Sequence, residues 1–212
     1  GMGRWEPNAR GRLAEAALGL YAEQGFDRTT VAEIAAAAGV TERTFFRHFT
    51  DKREVLFYGT ELGLDLLTRT IEGSPPDAPP LVCVAAALGA FADFFEEDPR
   101  RVRKRDALVS ASAELREREL VKLDAFVAAM TAALCGRGAA PRTAALAAEA
   151  GMAAFKVAYA EWVKVDEGAG GAESAESSEG EGRPAAGGGA GLPERFRAAL
   201  VEMGGVLEPV RD

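Results

Sequence analysis

The stretch that most constrains what this chain can fold into runs from residue 25 to residue 53, GFDRTTVAEIAAAAGVTERTFFRHFTDKR. Its apolar spacing and capping residues predict two short helices joined by a glycine turn. Thr30 can cap the first helix while Glu33, three residues on, reaches back to the cap amide, the pattern of a capping box. Val31, Ile34, Ala35 and Ala38 then give a small apolar face, and Gly39 can take the left-handed conformation that stops a helix. Thr41 caps the second helix, in which Phe45 and Phe49 lie four apart and can anchor one face to a core. The opposite face is left with Glu42, Arg43, Phe46 and Arg47, flanked by Thr44 and His48. Arginines can read guanine edges, and hydroxyl and imidazole groups suit phosphates. The pattern is that of a helix-turn-helix whose second helix enters a DNA major groove.

From Arg12 to Leu56, about a fifth of the chain, the sequence resembles the DNA-binding domain of the tetracycline-repressor-like (TetR) family of transcriptional regulators. Leu13, Ala16, Ala17, Leu20, Tyr21, Gly25, Phe26, Thr29, Thr30, Ile34, Ala35, Gly39, Val40, Thr44, Phe45, Phe49, Lys52 and Leu56 all fall where that family's pattern expects them. The resemblance implies that Thr44, Phe46, His48 and Lys52 hold the DNA backbone and that Glu42, Arg43 and Arg47 face bases. Thr30 and Thr41, at the two helix starts, complete the expected DNA-binding set. Two positions depart from the family. Phe46 stands where Tyr is commoner and has no hydroxyl to donate, which leaves it contact with a thymine methyl. Arg43 stands where a small residue is common and adds a cation.

The formal net charge of −8 does not oppose this reading, because of where the charge lies. Within residues 1 to 56 eight cations balance eight anions, so the excess acid is all downstream. It discourages indiscriminate contact with DNA and leaves binding to a few placed groups. His48 is the only histidine, so no clustered metal site is expected. Cys83 and Cys135 have no metal-ligand or redox spacing and are expected as buried, reduced thiols. No GxSxG elbow, phosphate-binding loop, dinucleotide fingerprint or Cys/His pairing appears, so neither enzymatic activity nor a cofactor is expected. The N-terminal residues carry charges and a proline rather than a secretory pattern, and no apolar run is long enough to span a bilayer. A cytoplasmic protein without membrane association is expected.

The rest of the chain reads as helical, with no strand alternation. Val55, Leu56, Leu62, Leu66, Leu67 and Ile71 predict one long amphipathic helix over 52–72, ended by the proline-rich segment 74–80. Further helices are predicted over 81–97, 99–110, 113–134, 141–166 and 192–207. Residues 168–191 are almost wholly Gly, Ala, Ser and Glu and predict a disordered loop. The expected fold is therefore all-α, with an N-terminal three-helix DNA-binding domain over 9–56 and a C-terminal helical domain over 57–212.

In the resembled family the last two long helices form a four-helix bundle with those of a second subunit. This implies a homodimer and an approximately palindromic double-stranded DNA operator, with small residues such as Ala144, Ala147, Ala148 and Ala150 allowing close helix approach. The family also encloses a small-molecule effector among the helices that here carry Phe91, Phe94, Phe95, Phe126, Met130, Met152, Phe155, Tyr159 and Trp162. Apolar stripes fill interiors more often than they line sites, so these nine are pocket candidates as a set. Such a pocket suits a lipophilic or planar compound. The resemblance thus implies a ligand-responsive regulator, a repressor in most of the family. The competing expectation is a helical interaction module that has lost specific DNA binding.

Overall fold

The computed structural model describes residues 8–165 and 189–207, and every regular element among them is helical. They are α1 (Ala9–Gln24), α2 (Val31–Ala37), α3 (Glu42–His48), a 3₁₀ turn (Glu54–Phe57), α4 (Thr60–Glu72), α5 (Pro80–Glu96), α6 (Pro99–Ser110), α7 (Ala113–Gly136), α8 (Pro141–Trp162) and α9 (Leu192–Leu207). The protein is all-α, as its periodicity predicts. Most of the expected loop, residues 168–188, lies outside the described residues.

Local chemistry sets the short helices. At the start of α2 the Thr30 amide donates to Glu33 Oε2 at 2.8 Å while Thr30 Oγ1 accepts from the Glu33 amide at 3.2 Å, completing the capping box. Its end is closed by two amides folding back, Gly39 onto the Ala36 carbonyl (3.1 Å) and Val40 onto the Ala35 carbonyl (2.9 Å). That closure requires the φ of +68° that Gly39 adopts, which a side chain rarely tolerates. Thr41 then caps α3 by accepting from the Thr44 amide at 3.2 Å.

The single helix expected over 52–72 is instead broken. Asp51 Oδ1 accepts from the amides of Arg53 (2.8 Å) and Glu54 (3.2 Å) and starts the 3₁₀ turn. Thr60 Oγ1 donates to the Phe57 carbonyl at 2.7 Å, and α4 sets off from there. The break buries Val55, Leu56 and Phe57 together, a consecutive run that the one apolar stripe of a straight amphipathic helix would divide between core and solvent. Periodicity alone could not show this, because Val55 and Leu56 also fit the helical spacing. At the other end, α8 stops at Trp162, short of the expected residue 166.

Packing divides the described residues into two units, one running up to Asp65 together with Arg100–Phe126, the other comprising Leu66–Pro99 and the residues from Val127 on. The sequence draws its division after Leu56, whereas packing groups α6 and the first half of α7 with α1–α3. In the first unit, Leu13, Leu18 and Tyr21 of α1 meet Ile34, Phe45 and Phe49, the apolar 3₁₀ turn, Val109 of α6 and Leu115 of α7 in one core. Burying a side chain such as Phe45, which is fully enclosed, stabilises by about 1.5–3 kcal/mol. Around that core run polar ties: Arg53 to Glu114 (2.7 Å), Lys122 to Glu54 (3.0 Å), and Arg105 to both Glu119 (2.8 Å) and the Leu56 carbonyl (2.8 Å).

In the second unit α5, α8 and α9 pack on one another. The buried face of α8 sets Ala144, Ala147, Ala148, Gly151, Ala154 and Ala158 beside Met152, Phe155 and Trp162, and at Gly151 α5 comes very close. A Cβ at Gly151 would lie 2.3 Å from Val84 Cγ1, and Val84 is itself fully buried. Glu96 reaches from the end of α5 to accept the Leu192 amide at 2.6 Å, satisfying an otherwise unbonded donor at the start of α9.

Two predictions follow from these contacts. Gly151→Ala overpacks the α5–α8 contact and lowers stability by about 1–3 kcal/mol in denaturant unfolding; an unchanged midpoint would show that α5 can retreat without cost. Glu33 and Asp51 both have carboxyls held below their ordinary pKa, Glu33 chiefly by the Thr30 amide and Asp51 chiefly by Arg53. A lowered folded-state pKa contributes stability that is complete above the unfolded carboxylate value, about 4, and is lost as pH falls through the folded values. The Glu33→Gln, Asp51→Asn double variant therefore shows a flatter acid limb than wild type when unfolding is followed from pH 6 downwards.

Candidate nucleic-acid interface

Helix α3 is seven residues long, and its two faces have different tasks. Phe45 is fully buried and Phe49 nearly so, with ring centroids 5.6 Å apart, and they fix the helix to the core of the first unit. Every residue facing the other way is then held outward by geometry alone. Glu42, Arg43, Phe46 and Arg47 are exposed, Phe46 at 54 % although its ring packs edge-on against Phe45 at 5.3 Å. No hydrogen bond or ion pair among the described residues engages the guanidinium of Arg43 or Arg47. The two lie four apart on one face with Phe46 between them, so two five-donor groups flank an apolar ring. Glu42, in the first turn of α3, also sits favourably at the positive end of the helix dipole.

The threonines are already engaged. Thr30 Oγ1 donates to Glu33 Oε2 at 2.9 Å, and Thr41 Oγ1 lies 3.1 Å from Thr44 Oγ1. All three hydroxyls stand at helix starts, where their capping bonds fix the backbone first.

His48 and Lys52 are both partly taken up by the protein itself. His48 is half-buried, and its Nε2 is enclosed without a hydrogen-bond partner. Burial first, then the charges of Arg47 and Arg10, hold its pKa below the ordinary value, so the ring is neutral at pH 7 and has a single N–H to offer. Lys52 turns inward. Its ammonium donates to the carbonyls of Phe26 (2.7 Å), Thr29 (3.1 Å) and Asp27 (3.3 Å), and it lies 4.4 Å from the centroid of the Phe26 ring.

Sequence reasoning missed several residues that shape this surface. Arg10 lies over the Phe49 ring at 5.4 Å and pairs with Glu61 at 3.1 Å, and Tyr21 Oη donates to the Lys52 carbonyl at 2.6 Å. Their partners are 31 to 51 residues away, beyond any local pattern.

The effector-pocket candidates are only partly brought together. Phe91, Phe95, Phe155, Tyr159 and Trp162 form a chain of ring contacts at 4.9–6.5 Å between α5 and α8, and α9 adds Phe196, 5.7 Å from Phe155. Met130 and Met152 are buried in the second unit, whereas Phe126 is buried on the part of α7 that belongs to the first. Phe94 points outward, 47 % exposed. Two shallow concavities of about 500 Å³ each lie elsewhere, one beside Arg12, Glu15 and Tyr58, the other beside Thr68, Ala132 and Arg137. No cluster of three or more His, Cys, Asp or Glu side chains able to hold a metal ion occurs among the described residues.

Comparison with known proteins bears on the same segment. Residues 13–58 match the family described as bacterial regulatory proteins, tetR family. The transcriptional regulator TcmR of Streptomyces glaucescens is 37 % identical over 81 residues, which are 38 % of this chain and 36 % of TcmR. The putative mycofactocin biosynthesis transcriptional regulator MftR of Mycobacterium tuberculosis is 29 % identical over 114 residues, 54 % of this chain and 58 % of MftR. The matched stretch is thus little more than a third of one relative and under three-fifths of the other. The transcriptional regulator FadR of Bacillus subtilis, solved in complex with stearoyl-CoA, superposes with a TM-score of 0.55, covering 90 % of this chain and 95 % of that one at 16 % identity, a likeness of fold. Residues 13–58 thus match the TetR-family model where the residue pattern places the resemblance, and the all-α fold continues beyond them.

Proposed function

We propose, from the premise that residues 13–58 are a TetR-family DNA-binding domain, that this protein is a ligand-responsive, sequence-specific transcriptional regulator. The observation that carries the reading is the outward face of α3: Arg43, Phe46 and Arg47 are exposed and uncommitted on a helix whose other face is locked by Phe45 and Phe49. Arg43 and Arg47 suit bidentate contact with guanine, and Phe46 suits a thymine methyl. Glu42 can accept from a cytosine amino group, while Thr30, Thr41, Thr44 and the single N–H of His48 suit phosphates.

The partner on the protein side is a second copy of the chain. Along α8, Thr143, Leu146, Ala150, Ala153, Val157 and Ala160 recur every three and four residues and stay exposed or half-exposed, with Leu146 at 64 % and Val157 at 55 %. On α9, Val201 and Val206 are 80 % and 72 % exposed. A seam of this period on two neighbouring helices suits helix-on-helix packing with its own copy. Of the small residues that the sequence reading assigned to this purpose, Ala144, Ala147 and Ala148 are buried inside the unit and Ala150 is half-exposed, while Ala153 and Ala160, which that reading did not name, are exposed along the seam. Two recognition helices presented by a twofold dimer read half-sites about 34–36 Å apart, hence a palindromic operator.

A small apolar or planar effector, entering among Phe91, Phe95, Phe155 and Tyr159, would have to part rings now in mutual contact. Regulation then requires that it bind the DNA-incompetent state more tightly; about 5.5 kcal/mol of difference moves a population from 1:99 to 99:1. Release of a repressor is the mode this favours. FadR of Bacillus subtilis, with its stearoyl-CoA, supports a long apolar chain as one effector class.

Two measurements test the reading. Selection of bound duplexes from a random pool enriches a palindrome with wild type, and Arg47→Ala costs about 1–3 kcal/mol on that site and much less on random DNA. Equal loss on both, or no enriched sequence, would point to an interaction module in place of a regulator. Val157→Glu places a charge in the α8 seam, and sedimentation then shows a monomer with unchanged helicity; a variant that remains dimeric sinks this interface.

A further inference from the structure

We infer that Lys52 is a positioning residue that organises the turn before α2, and that it makes no contact with the DNA backbone. The inference rests on the DNA-binding reading above. The turn between α1 and α2 leaves Gly25 with φ of +90°; the Gly25 amide donates back to the Tyr21 carbonyl at 3.0 Å and the Thr29 amide donates to the Phe26 carbonyl at 3.3 Å. The carbonyls of Phe26, Asp27 and Thr29 converge on one point, where their dipoles repel one another unless a cation stands between them. The Lys52 ammonium occupies that point, with one carbonyl for each of its three N–H groups at 2.7, 3.3 and 3.1 Å. The Phe26 ring closes a further side at 4.4 Å from the nitrogen. An ammonium whose donors are all spent has none left for a phosphate.

The clasp is reciprocal. Tyr21, 1 % exposed on α1, donates its hydroxyl to the Lys52 carbonyl at 2.6 Å, so the lysine's main chain is held to the helix that precedes the turn and its side chain is held to the turn itself. Burial and the nearby Asp51 charge raise the Tyr21 pKa, which keeps that hydroxyl a donor. Thr29, also 1 % exposed, adds a second tie by donating to the Gly25 carbonyl at 2.8 Å while accepting from Gln24 at 3.3 Å. The next residue, Thr30, caps α2. Through Lys52 the segment that follows α3 is therefore locked to the segment that precedes α2, and the two ends of the helix-turn-helix are set against each other. A compact ammonium suits a ring of three carbonyls, whereas the broad planar guanidinium of arginine does not.

The test compares Lys52→Met, Lys52→Arg and Tyr21→Phe with wild type on the selected operator across a salt series, together with amide exchange of the free proteins. The expected result for Lys52→Met is exchange at Thr29 and Thr30 faster by about tenfold, specific affinity lower by about tenfold, and an unchanged slope of log affinity against log salt. Lys52→Arg behaves the same way, although arginine binds phosphate well. Tyr21→Phe, which alters a buried hydroxyl with no access to DNA, shifts exchange in the same direction by less, and this variant decides the matter if Lys52→Met does not fold. A slope shallower by about 0.9 per subunit, about 1.8 for the dimer, with undisturbed exchange, or full affinity in Lys52→Arg, would identify a phosphate contact and overturn the inference. Should wild type select no operator, the DNA-binding reading fails, and exchange alone still decides whether Lys52 holds the turn.

Discussion

The outward half of α3 depends on the inward half. A seven-residue helix has too few internal hydrogen bonds to persist in water, so its existence and its aim both come from the burial of Phe45 and Phe49 against α1, α2 and the 3₁₀ turn. With those rings seated, the arginines and Phe46 have no freedom to face anywhere but solvent. The capping bonds of Thr30 and Thr41 refine the aim, and Gly39, in a conformation few other residues adopt, sets the angle between the two helices.

Charge is used sparingly in the first unit. Arg53 is committed to Asp51 and Glu114, Arg105 to Glu119 and a carbonyl, Arg101 to Glu15, and Lys52 to three carbonyls. These ties hold α6 and the start of α7 onto the helix-turn-helix. Arg43 and Arg47 of α3 remain exposed, and a few placed cations on an acidic chain suit the proposed reading of selective rather than bulk attraction to DNA.

Local rules carried far in this sequence. Helix starts at Thr30 and Thr41, the stop at Gly39, and the inward pair on α3 are all set by residues within four positions of one another, and these were legible. The break at 58–59 was not, because its cause is tertiary: a core that takes up Val55, Leu56 and Phe57 at once. The same holds for Lys52, whose partners lie 23 to 26 residues upstream, and for Gly151, whose need to be glycine appears only when Val84 of another helix is set against it. The aromatic residues of α5 and α8 were correctly read as apolar, but sequence could not say which would meet. Phe91, Phe95, Phe155 and Tyr159 do, Phe94 faces outward and Phe196 joins from α9.

The exposed face of α3 carries little of the packing, the edge-on contact of Phe46 with Phe45 apart, so most of its side chains can be exchanged without disturbing the core that supports them. Stability and sequence preference are in this sense written on separate residues of one short helix. If the proposed reading holds, a lineage carrying this domain can drift to a new operator through positions such as 43 and 47 while the anchors beneath stay fixed, and an engineer retargeting it can begin with those two arginines.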